Sequence, residues 1–346
     1  MAGSAFRESF RPWVWAAFAV ATAAAIVLCV SLGSVRVPFV DATREVWLAL
    51  TGRPAGDAKV WSIVVSVRFP RVLVAGLMGA ALSVCGCAMQ GLLKNPLADG
   101  TTLGVSSGAG LGAIVAIVFG VQVPGLPLAG TTIMAAAFAF LSLLVILTLA
   151  YRLDRSLSSN TIILLGVIYS MFVASISSIL VTFAGDKART ILFWTMGSLA
   201  STNYGNAALL AVALLAFGGV LLTKRRELNA FAVGEDNALH IGVDVKRTKL
   251  VVLICVSALT GICVSVGGTI GFVGLVTPHM VRFLVGPNHL RLMPAVIFGG
   301  AIFLMLCDLA ARTLLSPREL PIGVVTSLIG AILFVNIFTA ARRKGK

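Results

Sequence analysis

Apolar runs of about 20 residues, repeated along the whole chain, constrain this sequence more than any other feature. They lie near 13–33, 69–93, 102–120, 128–150, 161–184, 205–223, 249–268, 270–286, 293–313 and 321–341, punctuated by Gly, Pro and charge. A run of that length, coiled as a helix, crosses the roughly 30 Å hydrocarbon core of a bilayer. Inside that core each backbone N–H and C=O must find its partner within the segment or in a closed barrel. The runs are too long for porin strands and show no period-two alternation, so helices are expected. The reading is an all-α polytopic bundle of about ten transmembrane helices, forming one transmembrane domain over residues 1–346 with both termini cytoplasmic.

Composition excludes the alternatives. Of 346 residues 58% are apolar and 12% charged, with a mean hydropathy of +1.01. A water-soluble globule of that make-up lacks the polar surface to cover itself, which rules out an ordinary cytosolic enzyme. Ten spans consume about 200 residues and leave no stretch long enough for a nucleotide-binding or catalytic domain. The net charge of +14 does not point to nucleic acid, because the cations sit in short clusters between apolar runs, the pattern that orients multi-span proteins. With cytoplasmic termini, 17 of the 27 Lys and Arg residues fall inside. Several of the others, Arg36, Arg44, Arg53, Lys59, Arg68 and Arg71, crowd into or beside one long external loop. Arg7 and Arg11 ahead of an apolar run imitate a signal peptide, yet the run is longer than a signal core, so it reads as an uncleaved first span.

The six cysteines all stand within apolar runs and show no CxxC spacing, so they read as small buried residues. Many of the 35 glycines fall in the runs, where they let helix backbones approach closely. Between Lys224 and Lys249 lies a polar stretch in which Leu228, Phe231, Val233, Leu239 and Ile241 alternate with Glu235, Asp236 and His240. Two short helices broken at Gly234 are expected there, with a mixed apolar and acidic face.

Arg68-Phe-Pro-Arg71, Gly86-Cys-Ala-Met-Gln90, Asn95-Pro-Leu-Ala98 and Leu103-Gly-Val-Ser-Ser-Gly-Ala109 occur in one order and spacing. Trp194-Thr-Met-Gly-Ser-Leu199, Gly234-Glu-Asp236, Leu239-His-Ile-Gly-Val243, Gly271-Phe-Val-Gly-Leu275, Pro278-His279, Arg282 and Glu319-Leu-Pro-Ile-Gly-Val324 follow. Together they resemble the FecCD family of permease subunits of type II ABC importers for iron siderophores, haem and cobalamin. The resemblance covers residues 13–341 and implies a prokaryotic cytoplasmic-membrane subunit. Its implied partners are a second permease copy, two cytoplasmic ATPase subunits, an extracytoplasmic substrate-binding protein and membrane lipid. No GxxxxGK[ST] sequence occurs, so the phosphate-cradling loop of an ATPase is not here; ATP and Mg belong to the partner, and no cofactor or metal is expected on this subunit.

Residue roles follow from the resemblance. Residues 228–242, with Leu228, Phe231, Gly234, Glu235, Asp236, Leu239, Ile241 and Gly242, match ATPase-coupling helices. Arg68, Arg71 and Arg312 match arginines that dock the binding protein, although Asp308, one turn before Arg312, offers a local i, i+4 partner instead. Gln90, Ser106 and Ser107 are candidates for lining the path; Asn95, Pro96, Leu97, Ser158, Ser159 and Asn160 match cytoplasmic gate segments. Pro96 is expected to bend the chain there. His279 and His289 are not expected to ligate a passing chelate. A competing class, an ion-coupled secondary transporter, needs unpaired intramembrane carboxylates, whereas Asp308 stands beside Arg312. An intramembrane enzyme needs a catalytic pair, and no HExxH or GxSxG occurs.

Overall fold

The computed structural model describes residues 12–123, 129–155 and 157–344. Fourteen helices follow one another among them. These are α1 (Pro12–Ser31), α2 (Phe39–Leu50), α3 (Ala58–Leu93), α4 (Val105–Phe119), α5 (Ala129–Leu153), α6 (Ser159–Thr182) and α7 (Ala188–Thr195). The second half adds α8 (Tyr204–Thr223), α9 (Arg225–Val233), α10 (Glu235–His240), α11 (Val245–Gly267), α12 (Val273–Val285), α13 (His289–Thr313) and α14 (Ile322–Lys344). Seven of them, α1, α3, α5, α6, α8, α11 and α13, are long and apolar enough to cross a bilayer. The apolar stretches Val105–Phe119, Val273–Val285 and Ile322–Asn336 are shorter and coincide with the third, eighth and tenth expected runs.

α3 is the central post. Its apolar stretch is 83% buried, against 17% for α6, because glycines on α3 let other helices come to backbone contact. A Cβ on Gly79 would collide with the Gly300 carbonyl of α13, and one on Gly86 with the Gly274 carbonyl of α12. Dispersion and close packing, not hydrophobic exclusion, hold helices together in lipid, so this contact is what fixes the α3–α12–α13 centre. α1 lies outside it, stacking Phe18 on Phe298 of α13 with ring centroids 5.9 Å apart.

Helix boundaries depart from the hydropathy reading where charge hides a continuing helix. α3 begins at Ala58, eleven residues before the expected 69, and passes through a π-type turn at Val64–Arg68. At 1.5 Å per residue its 36 residues reach roughly 54 Å, so its first turns stand beyond the hydrocarbon. The Tyr204 hydroxyl donates to the Val65 carbonyl at 2.5 Å, satisfying a group the widened turn frees. The expected external loop also carries the amphipathic helix α2, whose buried side holds Ala42 and Glu45. All six cysteines are buried and free.

Candidate functional site

Three features gather the chemistry, one at each end of the bundle and one along its flank. At the Arg71 end, α3 and α13 bring together a buried ionic cluster. Arg71 donates from Nε to Asp308 at 2.9 Å and from Nη1 to Glu319 at 2.9 Å. Arg312 approaches the other Asp308 oxygen at 3.3 Å and donates to the Cys29 carbonyl. Arg68 donates to the carbonyls of Val30 and Ser31 at 3.1 and 2.8 Å, and to Val35. Its guanidinium thus caps the C-terminal end of α1, where unpaired carbonyls and the helix dipole both favour a cation. Gly33 admits it, since a Cβ there would lie 2.6 Å from Nη2.

That geometry gives all three docking candidates partners within the subunit. Arg68, Arg71 and Arg312 are all buried, at 5%, 7% and 5% exposure. Their donors serve α1, Asp308 and Glu319, so within the subunit they hold α1, α3 and α13 together. The expected local pair between Asp308 and Arg312 is present, and Arg71 joins it from another helix. Glu319, which sequence reasoning treated only as part of a motif, supplies the exposed carboxylate.

At the opposite end, the polar stretch folds as expected into two short helices broken at Gly234, whose φ of 139° a side chain rarely tolerates. The division of its apolar residues is different from the expectation. Leu228 and Phe231 are wholly buried and belong to the core. Val233, Leu239 and Ile241 are 73%, 61% and 71% exposed, and with exposed Asp236 and Gly242 they form the outward face. Leu228 and Phe231 sit on the inner side of α9 because an amphipathic helix on the end of a bundle must bury one stripe.

Glu235 turns inward. Its carboxylate accepts from Lys249 Nζ at 2.7 Å and stands 3.4 Å from the Ser159 hydroxyl. Lys249, read in the sequence as a cytoplasmic cation where the polar stretch meets a span, is fully buried and also donates to the Leu157 carbonyl at 2.9 Å. A lysine at the head of an apolar run was the signal available in the sequence, and only the folded arrangement selects Glu235 among the acidic residues as its partner.

The turn into α6 is capped by Ser158, which accepts from the Thr161 N–H, while Asp154 accepts from the Ser158 N–H at 2.9 Å. Ser159 is half-buried and Asn160 exposed. Asn95, Pro96 and Leu97 form a turn after α3, in which Asn95 Oδ1 accepts from the Leu97 N–H at 2.9 Å. Pro96 lies within that turn, where the chain bends: α3 has already ended at Leu93, with Lys94 left-handed at φ 50°.

Along the flank, α4, α6 and α7 enclose an open groove of about 640 Å³. Ser106, Ser107 and Gly110 of α4 face Val173, Ser177 and Ser178 of α6, with Thr195 and Thr269 at its margin. Among the described residues the buried Ser106 hydroxyl has no hydrogen-bond partner. Gln90 lies elsewhere: buried between α3 and α12, it donates to the Leu275 carbonyl at 3.2 Å and accepts from Arg282 at 3.1 Å, so it does not line the groove. His279 hydrogen-bonds the Leu275 carbonyl through Nδ1 at 3.1 Å. His289 opens α13 instead of lying in a loop, buried against Asn229 of α9 at 2.9 Å. Among the described residues no cluster of three or more His, Cys, Asp or Glu could hold a metal.

Comparison with known proteins decides the family. Residues 21–340 match the FecCD transport family. The chain belongs to the FecCD transport family. This FecCD chain is 40% identical to an uncharacterised ABC transporter permease, YvrB, of Bacillus subtilis, over 94% of its own length and 92% of that protein's. It is 35% identical to the hemin transport system permease HmuU of Yersinia pestis, over 92% and 94%. Against the cobalamin import permease BtuC of Halobacterium salinarum the identity is 36%, over 80% and 73%. Among solved structures, an ABC transporter of metal-chelate type in an inward-facing conformation superposes with a TM-score of 0.83 at 30% identity, covering 95% of this chain and 99% of that one. The FecCD chain is therefore the multi-pass membrane permease of an ABC importer, with ATP hydrolysis on separate subunits. The ion-coupled alternative has no support, since Asp308 is held between two arginines.

Proposed function

We propose that this permease pairs with a second copy in the cytoplasmic membrane of a prokaryote and passes a ferric siderophore along the α4–α6 groove. The observation that carries the reading is a hydroxyl-lined groove of about 640 Å³ on α6, the least covered span. Leu164, Ile168, Met171, Phe172 and Ile179 are exposed along α6, a face that a second copy would cover. Serines on an apolar wall suit a bulky chelate, because weak, dispersed contacts let it leave as readily as it enters.

Val233, Asp236, Leu239 and Ile241 supply the surface for the ATPase, which binds ATP and Mg. Outside, with Arg68, Arg71 and Arg312 buried, exposed Arg36, Arg44, Arg53, Lys59, Lys187, Arg189 and Arg318 are the cations left to meet an acidic binding protein. Such rim charges set register and encounter rate more than affinity. The similarity to hemin and cobalamin permeases supports haem and cobalamin as the competing substrates.

The test is uptake into proteoliposomes holding the permease with its ATPase and binding protein. ATP-dependent entry of ferric siderophore, exceeding that of haemin and cobalamin, is expected. Uptake of either of those in its place reassigns the substrate, and uptake of none removes the reading.

A further inference from the structure

Lys249 stands in the second turn of α11 with no exposed surface, and its ammonium bridges two other elements. It donates at 2.7 Å to Glu235 of α10 and at 2.9 Å to the Leu157 carbonyl, in the turn between α5 and α6. A buried ammonium stripped of such partners is costly, so the three elements are held together. The residue it grips is itself held in place. Leu157 is fully buried with φ 52°, a left-handed conformation that a leucine keeps only when its surroundings hold it there. Its N–H donates to the Asp154 carbonyl at 3.0 Å, and Asp154 and Ser158 then bind the first turn of α6. α6 in turn forms one wall of the groove.

We propose that Lys249 is a positioning residue that ties α10 to the turn entering α6, so that displacement of the α9–α10 pair is delivered to the groove wall. The inference rests on reading α9–α10 as the ATPase-facing segment. Transmission needs contacts that persist while the elements move, and a charge-paired bridge with one end on a backbone carbonyl meets that need better than apolar contacts, which can slide. Ser159, 3.4 Å from the second Glu235 oxygen, adds a parallel contact between the same two elements.

Lys249→Met, Glu235→Gln and Lys249→Arg are to be compared in the complete complex in proteoliposomes, with spin labels on Asn160→Cys reporting the distance between the two copies. In Lys249→Met and Glu235→Gln the ATPase should stay bound and hydrolyse ATP at a rate within about twofold of the parent, while uptake per ATP falls about tenfold. The nucleotide-dependent change in label distance should shrink with it, and Lys249→Arg should recover part of both. If Lys249→Met does not insert, Glu235→Gln carries the test, its side chain being 32% exposed. Unchanged uptake per ATP in the neutral variants overturns the proposal, and so does hydrolysis that falls in proportion to uptake. The underlying surface is tested separately by Leu239→Asp with Ile241→Asp: an ATPase that still binds that variant removes the surface reading and this inference together.

Discussion

Asp308 and Glu319 both pair with Arg71, yet their environments set very different values on the two bonds. The Asp308 side chain is 1% exposed and lies between two arginines, whereas Glu319 is 44% exposed. Removing one member of a buried ionic group leaves uncompensated charge and costs about 3–5 kcal/mol. An exposed pair contributes about 0–1 kcal/mol. Asp308→Asn should therefore lower the unfolding temperature of the purified permease sharply, while Glu319→Gln shifts it little; equal shifts would show that burial does not decide the matter. Arg71→Glu, which the docking assignment treats as a surface change, should behave like Asp308→Asn and impair folding before any effect on a binding partner can be read.

The α9–α10 pair is one element with two unlike faces. Phe231 is buried and Leu239 is 61% exposed, so equal hydrophobicity in the sequence conceals opposite duties. Phe231→Ala leaves a cavity and should destabilise the permease by about 3–5 kcal/mol, measured by thermal unfolding in detergent. Leu239→Asp with Ile241→Asp should leave stability near the parent value but abolish copurification of the ATPase. Retained copurification, or a stability loss matching that of Phe231→Ala, would contradict the division of faces. At α3 the element outruns its apolar run, because a helix does not end where the membrane does and Arg68 is accommodated by the end of α1.

For the molecule as a whole, α3 is buried and α6 is bare, and the groove lies against α6. Gly110 lines the groove and has open space where a Cβ would stand. Gly110→Leu should consequently fill the path without clashing with the backbone, giving normal insertion and ATPase binding with uptake reduced about tenfold or more. Normal uptake would move the path elsewhere. If the turns into α6 of two copies close the path, cysteines at Ser159 should cross-link across the pair, which needs Cα atoms within roughly 7 Å. The test uses a background lacking the six native cysteines. Cross-linking should depend on trapped ATP and block uptake until reduced; a link that forms in every nucleotide state and leaves uptake intact would assign Ser159 to dimer packing.

Hydropathy alone determined the membrane class and the helical fold, because a bilayer demands apolar runs of fixed length and internally paired backbone; the family rested on the order and spacing of the motifs from Arg68 to Val324. The break at Gly234 was legible for a similar local reason: glycine between two amphipathic stretches leaves little choice of conformation. Partner choice among charged residues was not legible. Arg68, Arg71 and Arg312 carry the same side chain and look alike as cations near an outer loop, but one caps α1, one spans two carboxylates and one closes a buried pair. Lys249 and Glu235 are fourteen residues apart, too far along the chain for helix periodicity to pair them. Their meeting, like the burial of Gln90 beside Arg282 and of Phe231 on the inner side of α9, depends on which helices pack against α3, and long-range packing alone decides that.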